Sequence, residues 1–345
     1  MFLYINYPSF IKPEIFPGVK FLSFFRWYGL MYVVAFSLAY FILKKVAKEG
    51  ALNTPDYKVS EDDIFSFIFT GIVFLLIGAR LGSTLIYNPE IYLKKPWMIF
   101  WPFENGHFVG FAGMSYHGGF IGGLFGMIFW CLRHKRPVAK WIDAMSLAIP
   151  LGYTFGRLGN FLNGELFGRI TTMPWGMVFP DANLFPASEP WVQDFAAKIG
   201  MNISSPYVNL PRHPSQLYEA LFEGVILWLI LWMTRKHIKF DGQIGCMYTA
   251  GYGIFRFFIE YFRQPDENLG FRLGDKTAMN IYENTSFKNI STGQILCAIM
   301  IVGSILMAII LWTISKKKKA ENPEDKQSVR KIIEERNKSK KNKKK

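Results

Sequence analysis

Two arginines, two asparagines and a glutamate fall within residues 156–169, Gly156-Arg157-Leu158-Gly159-Asn160-Phe161-Leu162-Asn163-Gly164-Glu165-Leu166-Phe167-Gly168-Arg169, directly after an apolar run. A charged side chain inside a bilayer costs roughly 2.5–3.5 kcal/mol on insertion scales, so groups placed there line a pathway or a site and have partners. Other apolar stretches carry Tyr28, Arg80, His117, Arg256 and Glu260. Guanidinium grips phosphate with paired N–H bonds, and imidazole takes up a proton near neutral pH. Anion recognition and acid–base work are therefore both within reach of this set.

Half of the 345 residues are hydrophobic, 17% are aromatic and only 19% are charged, the balance of an all-α polytopic membrane protein. A helix needs ~20 mostly apolar residues to cross ~30 Å of hydrocarbon. Such stretches lie near 23–43, 64–87, 111–132, 141–156, 215–234, 243–261 and 292–315, which predicts seven transmembrane helices, the fourth of them short. Lys44, Lys45 and Lys48, then Arg133, Lys135 and Arg136, then Arg235, Lys236 and Lys239, and finally Lys316–Lys319 follow alternate segments. Basic residues resist translocation, so these ends are expected in the cytoplasm, with the N-terminus outside and the C-terminus inside.

The organisation expected is an exoplasmic segment 1–22, helices with loops over 23–156, and a small mixed exoplasmic head domain over 157–214. More helices over 215–315 and a basic, disordered cytoplasmic tail over 316–345 complete it. The tail carries 14 Lys and Arg against 5 Asp and Glu, so it supplies +9 of the formal +14. Net charge therefore points to anionic headgroups beside the tail rather than to nucleic acid. Residues 1–22 lack the basic start and small-residue cleavage site of a signal peptide. Cys131, Cys246 and Cys297 all sit in apolar segments and are expected to be buried structural thiols.

Depth along each helix brings the polar groups together. At ~1.5 Å per residue, Arg157, Arg256 and Glu260 stand roughly 25, 20 and 26 Å from the cytoplasmic ends of their helices. Tyr28 and His117 come early in helices descending from outside, and Arg80 late in an ascending one. All fall in the outer half of the membrane, where a site for an outer-leaflet lipid headgroup would lie. Tyr252, Arg256, Glu260 and Arg263 also share one quarter of their helix at about 100° per residue. Arg256 and Glu260 suit either a structural ion pair or a site. His117, in a ridge with Gly118, Gly122 and Gly126, suits either packing or proton transfer. Residues 212–219, with Pro214 and Ser215, suit either a helix cap or a direct role, and Arg80 suits snorkelling to the interface.

Several stretches together resemble the prolipoprotein diacylglyceryl transferase family of bacterial inner-membrane enzymes. They are Arg26-Trp27-Tyr28-Gly29-Leu30-Met31-Tyr32, Tyr116-His117-Gly118-Gly119, residues 156–169 and 212–219, and residues 256–266. The resemblance spans about residues 23–315. It implies transfer of the diacylglyceryl group of phosphatidylglycerol to the lipobox cysteine thiol of a preprolipoprotein, with a thioether formed and glycerol phosphate released. It makes Arg157 the phospholipid-binding residue, and Tyr28, His117, Asn160, Glu165, Arg256 and Glu260 important for activity.

That chemistry needs anchors for the departing phosphate and a group to take the thiol proton. Arg157 and Arg256, with Arg263 beside them, are assigned to the phosphoglycerol group. A thiol near pKa 8.5 is only a few per cent ionised at neutral pH, and His117 is the candidate base. Glu260 orients an arginine, while Asn160, Glu165 and Tyr28 hold glycerol hydroxyls or loop geometry. The expected enzyme uses no metal or cofactor and works as a monomer. An anionic-phospholipid binding or transport protein would use the same arginines without bond breaking, and a structural helix-bundle subunit would not need them at one depth.

Overall fold

The computed structural model describes residues 4–22, 25–86, 89–101, 103–104, 107–108, 113–264, 270–274, 282 and 286–321. Its helices are α1 (Trp27–Lys48), α2 (Glu61–Leu81), α3 (Pro89–Tyr92), α4 (Tyr116–Arg133), α5 (Val138–Leu162), α6 (Pro190–Lys198), α7 (Ser215–Glu219), α8 (Leu227–Thr234), α9 (Gln243–Ile259) and α10 (Thr292–Glu321). Between α7 and α8 the chain continues through a π-helical stretch, Ala220–Ile226. α5 is central, touching α1, α7, α8, α9 and the π stretch, while α2 runs along α4 and α9 along α10.

By length and composition, 4 helices can cross a membrane: Trp27–Lys48, Glu61–Ile86, Ser215–His237 and Thr292–Lys318. The other three expected crossings coincide with α4, α5 and α9. Glycines dilute the apolar character of α4, Lys140, Asp143 and Arg157 that of α5, and α9 has only 17 residues. α5 also extends past the expected end at 156 to Leu162, because Arg157 and Asn160 find partners and the helix need not unwind to solvate them. α10 likewise continues to Glu321 through Lys, Ala and Glu, which propagate helix well, so the tail is helical at its start. Residues 322–345 lie outside the described residues.

The basic helix ends gather at one end of the bundle. Lys44 of α1 pairs with Glu61 at 2.7 Å, Arg235 with Glu49 at 3.0 Å and Arg136 with Asp63 at 3.7 Å. Asp63 closes a capping box with Ser60 at the start of α2. Asp143 of α5 accepts the backbone N–H groups of Gly242 and Gly245 at 2.7 and 2.8 Å, which caps α9 from a neighbouring helix. Trp130, Trp141, Phe67 and Leu43 fill the core beside these contacts. Cys131, Cys246 and Cys297 are buried free thiols.

α2 and α4 approach along glycines on both sides. A Cβ on Gly78 would meet the Gly118 carbonyl and lie 2.8 Å from Gly122 Cα, and one on Gly122 would meet the Phe74 carbonyl. Arg80 does not snorkel: it is 6% exposed. It donates to the carbonyls of Ile99, Met98 and Gly113 and lies 5.5 Å over the Tyr92 ring. Those carbonyls come from the folded-back segment after α2, a partner nearer than water.

At the opposite end, residues 163–214 fold with the N-terminal segment. Ile5–Asn6 pairs in parallel with Met177–Val178, and Phe185–Pro186 is antiparallel to Tyr207–Val208. Val192 and Phe195 of α6 pack on Ile170, Phe185, Ile199 and Leu210. The Tyr7 hydroxyl donates to the Phe161 carbonyl at 2.8 Å, tying residues 4–8 to the end of α5. His213 packs edge-on against Phe262, with Nδ1 3.2 Å from the Tyr218 hydroxyl. Burial, helped by the Arg169 guanidinium, holds its imidazole down at about 4.

Two outcomes follow from this packing. Gly122→Ala gains ~1 kcal/mol of helix propensity but forces α2 and α4 apart at a typical ~1–3 kcal/mol, so thermal unfolding in detergent should fall. Gly303→Ala, where a Cβ meets nothing within 4 Å, should not fall. The fold prefers neutral His213, so this contribution is complete above the unfolded value of 6.5 and is lost as pH falls toward about 4. Melting curves of His213→Asn should drop less than wild type over that window, and parallel curves would assign the acid sensitivity elsewhere.

Candidate active site

The site is built around a carboxylate. Glu219, the last residue of α7, is 0% exposed and accepts from three guanidinium groups. Arg157 Nε of α5 and Arg256 Nη1 of α9 both stand 2.9 Å from its Oε2, and Arg263 Nη1 stands 2.7 Å from its Oε1. The Tyr153 hydroxyl, one helical turn before Arg157, lies 2.9 Å from the same Oε2. Glu223, also 0% exposed, approaches Tyr153 at 2.5 Å and Arg256 at 3.9 Å.

Glu260 closes the other side. Its Oε2 lies 3.2 Å from Arg256 Nη2 and 3.5 Å from Arg263 Nε, while Ser291 donates to its Oε1 at 3.1 Å. The helical spacing that aligns Arg256, Glu260 and Arg263 thus produces real contacts. α9 ends at Ile259, and the turn beyond it brings Arg263 back over the helix end.

The cluster is sorted by charge. Side chains of Glu219, Glu223 and Glu260 are 0, 0 and 9% exposed, whereas those of Arg157, Arg256 and Arg263 are 15, 16 and 19% exposed. The carboxylates form the back and the guanidiniums the open side. An anion arriving there meets positive charge first, in a low-dielectric setting where it counts most. Arg157 keeps Nη2 without a hydrogen bond among the described residues, so an N–H pair remains available.

Neighbouring helices hold this geometry. Thr154, next to Tyr153, points its hydroxyl at the carbonyls of Pro150 and Ala220, at 3.1 and 3.3 Å. Gly224 presses against it so closely that a Cβ would lie 3.0 Å from Thr154 Cβ. A π-helical stretch is a frequent mark of functional sites, and here it carries Glu223.

Asn160 and Glu165 hold a loop. Arg157 Nη1 donates to Asn160 Oδ1 at 3.4 Å, Asn160 Nδ2 donates to Glu165 at 3.0 Å, and Asn163 Nδ2 donates to Glu165 at 3.2 Å. Gln216 Nε2 donates to the Glu165 carbonyl, binding this loop to the start of α7. Ser215 donates to the Leu166 carbonyl at 3.3 Å and does not cap its helix. Tyr28 pairs with the Tyr32 hydroxyl at 3.0 Å and packs beside Gly159, near the cluster but not within it.

His117 lies on the first turn of α4 and is exposed. It stacks edge-on with Tyr116, and among the described residues it makes no hydrogen bond or ion pair with the arginines. The structure therefore joins Arg157, Arg256, Arg263, Glu260, Asn160 and Glu165 in one network and leaves Tyr28 and His117 outside it. Sequence reasoning included Glu219 only as the end of the 212–219 stretch, with no role of its own, and passed over Glu223 and Tyr153. Two acidic residues four apart inside an otherwise apolar span were the available signal, since each needs a partner at that depth.

Beside the cluster, an open cleft of about 210 Å³ is lined by Arg169, Thr171, Thr172, His213, Tyr261 and Phe262. Among the described residues no group of three or more His, Cys, Asp or Glu is arranged to hold a metal ion.

Comparison with known proteins agrees with the resemblance. A protein of Treponema denticola named phosphatidylglycerol–prolipoprotein diacylglyceryl transferase is 54% identical over 333 residues, covering 92% of this chain and 98% of the relative. Proteins of the same name from Treponema pallidum and Chlorobaculum tepidum are 50 and 39% identical, covering 88 and 91% of this chain and 94 and 93% of theirs. The profile of the family described as prolipoprotein diacylglyceryl transferase matches residues 19–310, and the chain belongs to that family.

Proposed function

We propose that the arginine–carboxylate cluster grips the phosphoglycerol end of phosphatidylglycerol while a thiol displaces it. The chain is a transferase of lipoprotein maturation that moves the diacylglyceryl group from phosphatidylglycerol to a prolipoprotein. The cysteine sulfur attacks the glycerol carbon that carries the phosphate. A C–S bond forms, the C–O bond breaks, its electron pair stays on the phosphate oxygen, and glycerol 1-phosphate leaves. The observation that carries the assignment is the sharing of one Glu219 oxygen by Arg157 and Arg256 at 2.9 Å each. It fixes two guanidiniums side by side on one carboxylate oxygen.

The phosphate gains negative charge as the C–O bond breaks, so donors fixed in advance stabilise the transition state more than the bound lipid. Arg157 and Arg256 take the phosphate, Arg263 supports them, and Glu260 orients Arg256 and Arg263. Asn160 and Glu165 set the loop beside the phosphate, and Tyr28 lines the approach with Tyr32. His117 takes the thiol proton: it is exposed on the first turn of α4, and among the described residues it makes no hydrogen bond that it would have to give up.

The same reading places seven crossings in a bacterial inner membrane, with α4, α5 and α9 added to the four most apolar helices. Residues 163–214 with the N-terminal segment then form an exoplasmic head, the N-terminus lies outside, and residues 316–345 lie in the cytoplasm. The gathering of basic helix ends opposite the cluster supports this orientation. A monomer is the working unit in this reading.

Incubation of the purified protein with phosphatidylglycerol and a lipobox peptide should raise the peptide mass by one diacylglyceryl group. Arg157→Lys keeps the charge but loses the planar fork, and kcat/KM should fall by about 100-fold, roughly 2.7 kcal/mol. Retention of full activity would remove Arg157 from phosphate binding. His117→Gln should lower kcat by about 10²–10⁴-fold with little change in KM for the lipid. An unchanged kcat would move the base elsewhere.

A further inference from the structure

The Tyr153 hydroxyl stands between two carboxylates, 2.9 Å from Glu219 Oε2 and 2.5 Å from Glu223 Oε2. A phenol has one proton and donates it to one acceptor. With both carboxylates ionised, one of these contacts would set an oxygen lone pair against an oxyanion, and neither glutamate side chain is exposed to water. A second proton must lie among the three oxygens.

Their other partners decide where it sits. Glu219 receives three guanidiniums at 2.7–2.9 Å, which stabilise it as an anion. Glu223 has Arg256 alone, 3.9 Å from Oε1, and that buried oxygen accepts no hydrogen bond among the described residues. An ionised carboxylate with a bare buried oxygen is costly, whereas a carboxylic acid leaves only a neutral carbonyl there. The proton therefore belongs on Glu223 Oε2. Glu223 donates to Tyr153, Tyr153 donates to Glu219, and every close contact has a donor and an acceptor.

We propose that Glu223 is held protonated in the resting protein, so that three guanidiniums and two carboxylates leave the cluster one net positive charge, matched to the single negative charge of a phosphodiester headgroup. This rests on the assignment of the cluster as the phosphoglycerol site. Glu223 is then a positioning residue: loss of its proton brings the cluster to neutrality and sets a second anion against Tyr153, which weakens the grip on phosphate. The groups facing Glu223 are Tyr153 and Arg157 from α5, Tyr248, Tyr252 and Arg256 from α9, Cys297 from α10, and Glu219 on its own helix.

The test is transfer to a lipobox peptide by the full-length protein in nanodiscs, followed across neutral and alkaline pH with KM for phosphatidylglycerol as the readout. The thiol's own ionisation acts on the peptide side and on kcat. Wild-type KM should rise by about tenfold per pH unit on its alkaline limb, the signature of one proton. Glu223→Gln cannot ionise and should flatten that limb, Glu223→Asp should shift it, and Cys297→Ala should leave it in place.

A Glu223→Gln profile that superimposes on the wild type, or a limb that disappears in Cys297→Ala, overturns the inference while the site assignment stands. Infrared spectra give a second measure that needs no variant. A protonated-carboxyl C=O band in the wild type at neutral pH should fade in step with the rise in KM, and its absence overturns the inference. Absence of transfer at every pH would overturn the site assignment and this inference with it.

Discussion

One carboxylate without access to water holds three guanidinium groups. Removing an ion pair from water costs several kcal/mol per ion, and a single buried pair seldom recovers it. Glu219 recovers it through number: contacts at 2.7–2.9 Å from Arg157, Arg256 and Arg263, with the Tyr153 hydroxyl beside them. These partners come from α5, from α9 and from the turn beyond it, so the interaction that assembles the site also fixes how α7 packs between those helices. Site and fold cannot be perturbed independently here. A change at Glu219 would take the shared partner from three half-buried cations at once rather than remove one contact.

The remaining architecture keeps those helices in register. At the far end, Asp143 caps α9 across the bundle, so α5 and α9 are joined at one end by a hydrogen-bonded cap and at the other by the ion cluster. Near the cluster, Gly224 and Thr154 let the π-helical stretch lie against α5, and Gln294 of α10 donates to the Phe257 carbonyl at 3.2 Å. α2 and α4 form a separate glycine-packed pair, from which His117 projects. The proposed phosphate site and the proposed proton acceptor thus sit on different helix pairs.

The arginines were legible in the sequence because two simple rules constrain them. Alternating basic ends give each helix a direction, and the rise per residue then gives each polar group a depth. Periodicity did the same for Arg256, Glu260 and Arg263. Glu219 and Glu223 were harder, since neither rule says which neighbour a carboxylate in an apolar run will face. The choice of three arginines on other helices is a tertiary fact. The length of α5 was misread for a related reason: Arg157 and Asn160 look like loop composition until their partners are known. Arg80 has the length to snorkel, but carbonyls from a segment folded back over it are nearer. His117 shows the converse, a residue that chemistry singles out and packing leaves alone.

The sorting of charge within the cluster bears on how the reaction is driven. A phosphodiester enters with one negative charge, and the phosphate that departs develops more as the C–O bond breaks. A site that merely attracted anions would bind the lipid and its product too well. Placing Glu219 and Glu260 behind the guanidiniums tempers that attraction, because each arginine's field is partly spent on a carboxylate already present. What remains is positional: guanidinium groups held in place in advance, whose benefit grows with the charge on the leaving oxygen. On the proposed assignment the buried carboxylates serve the reaction as well as the packing, holding the arginines still while tempering the resting attraction for phosphate.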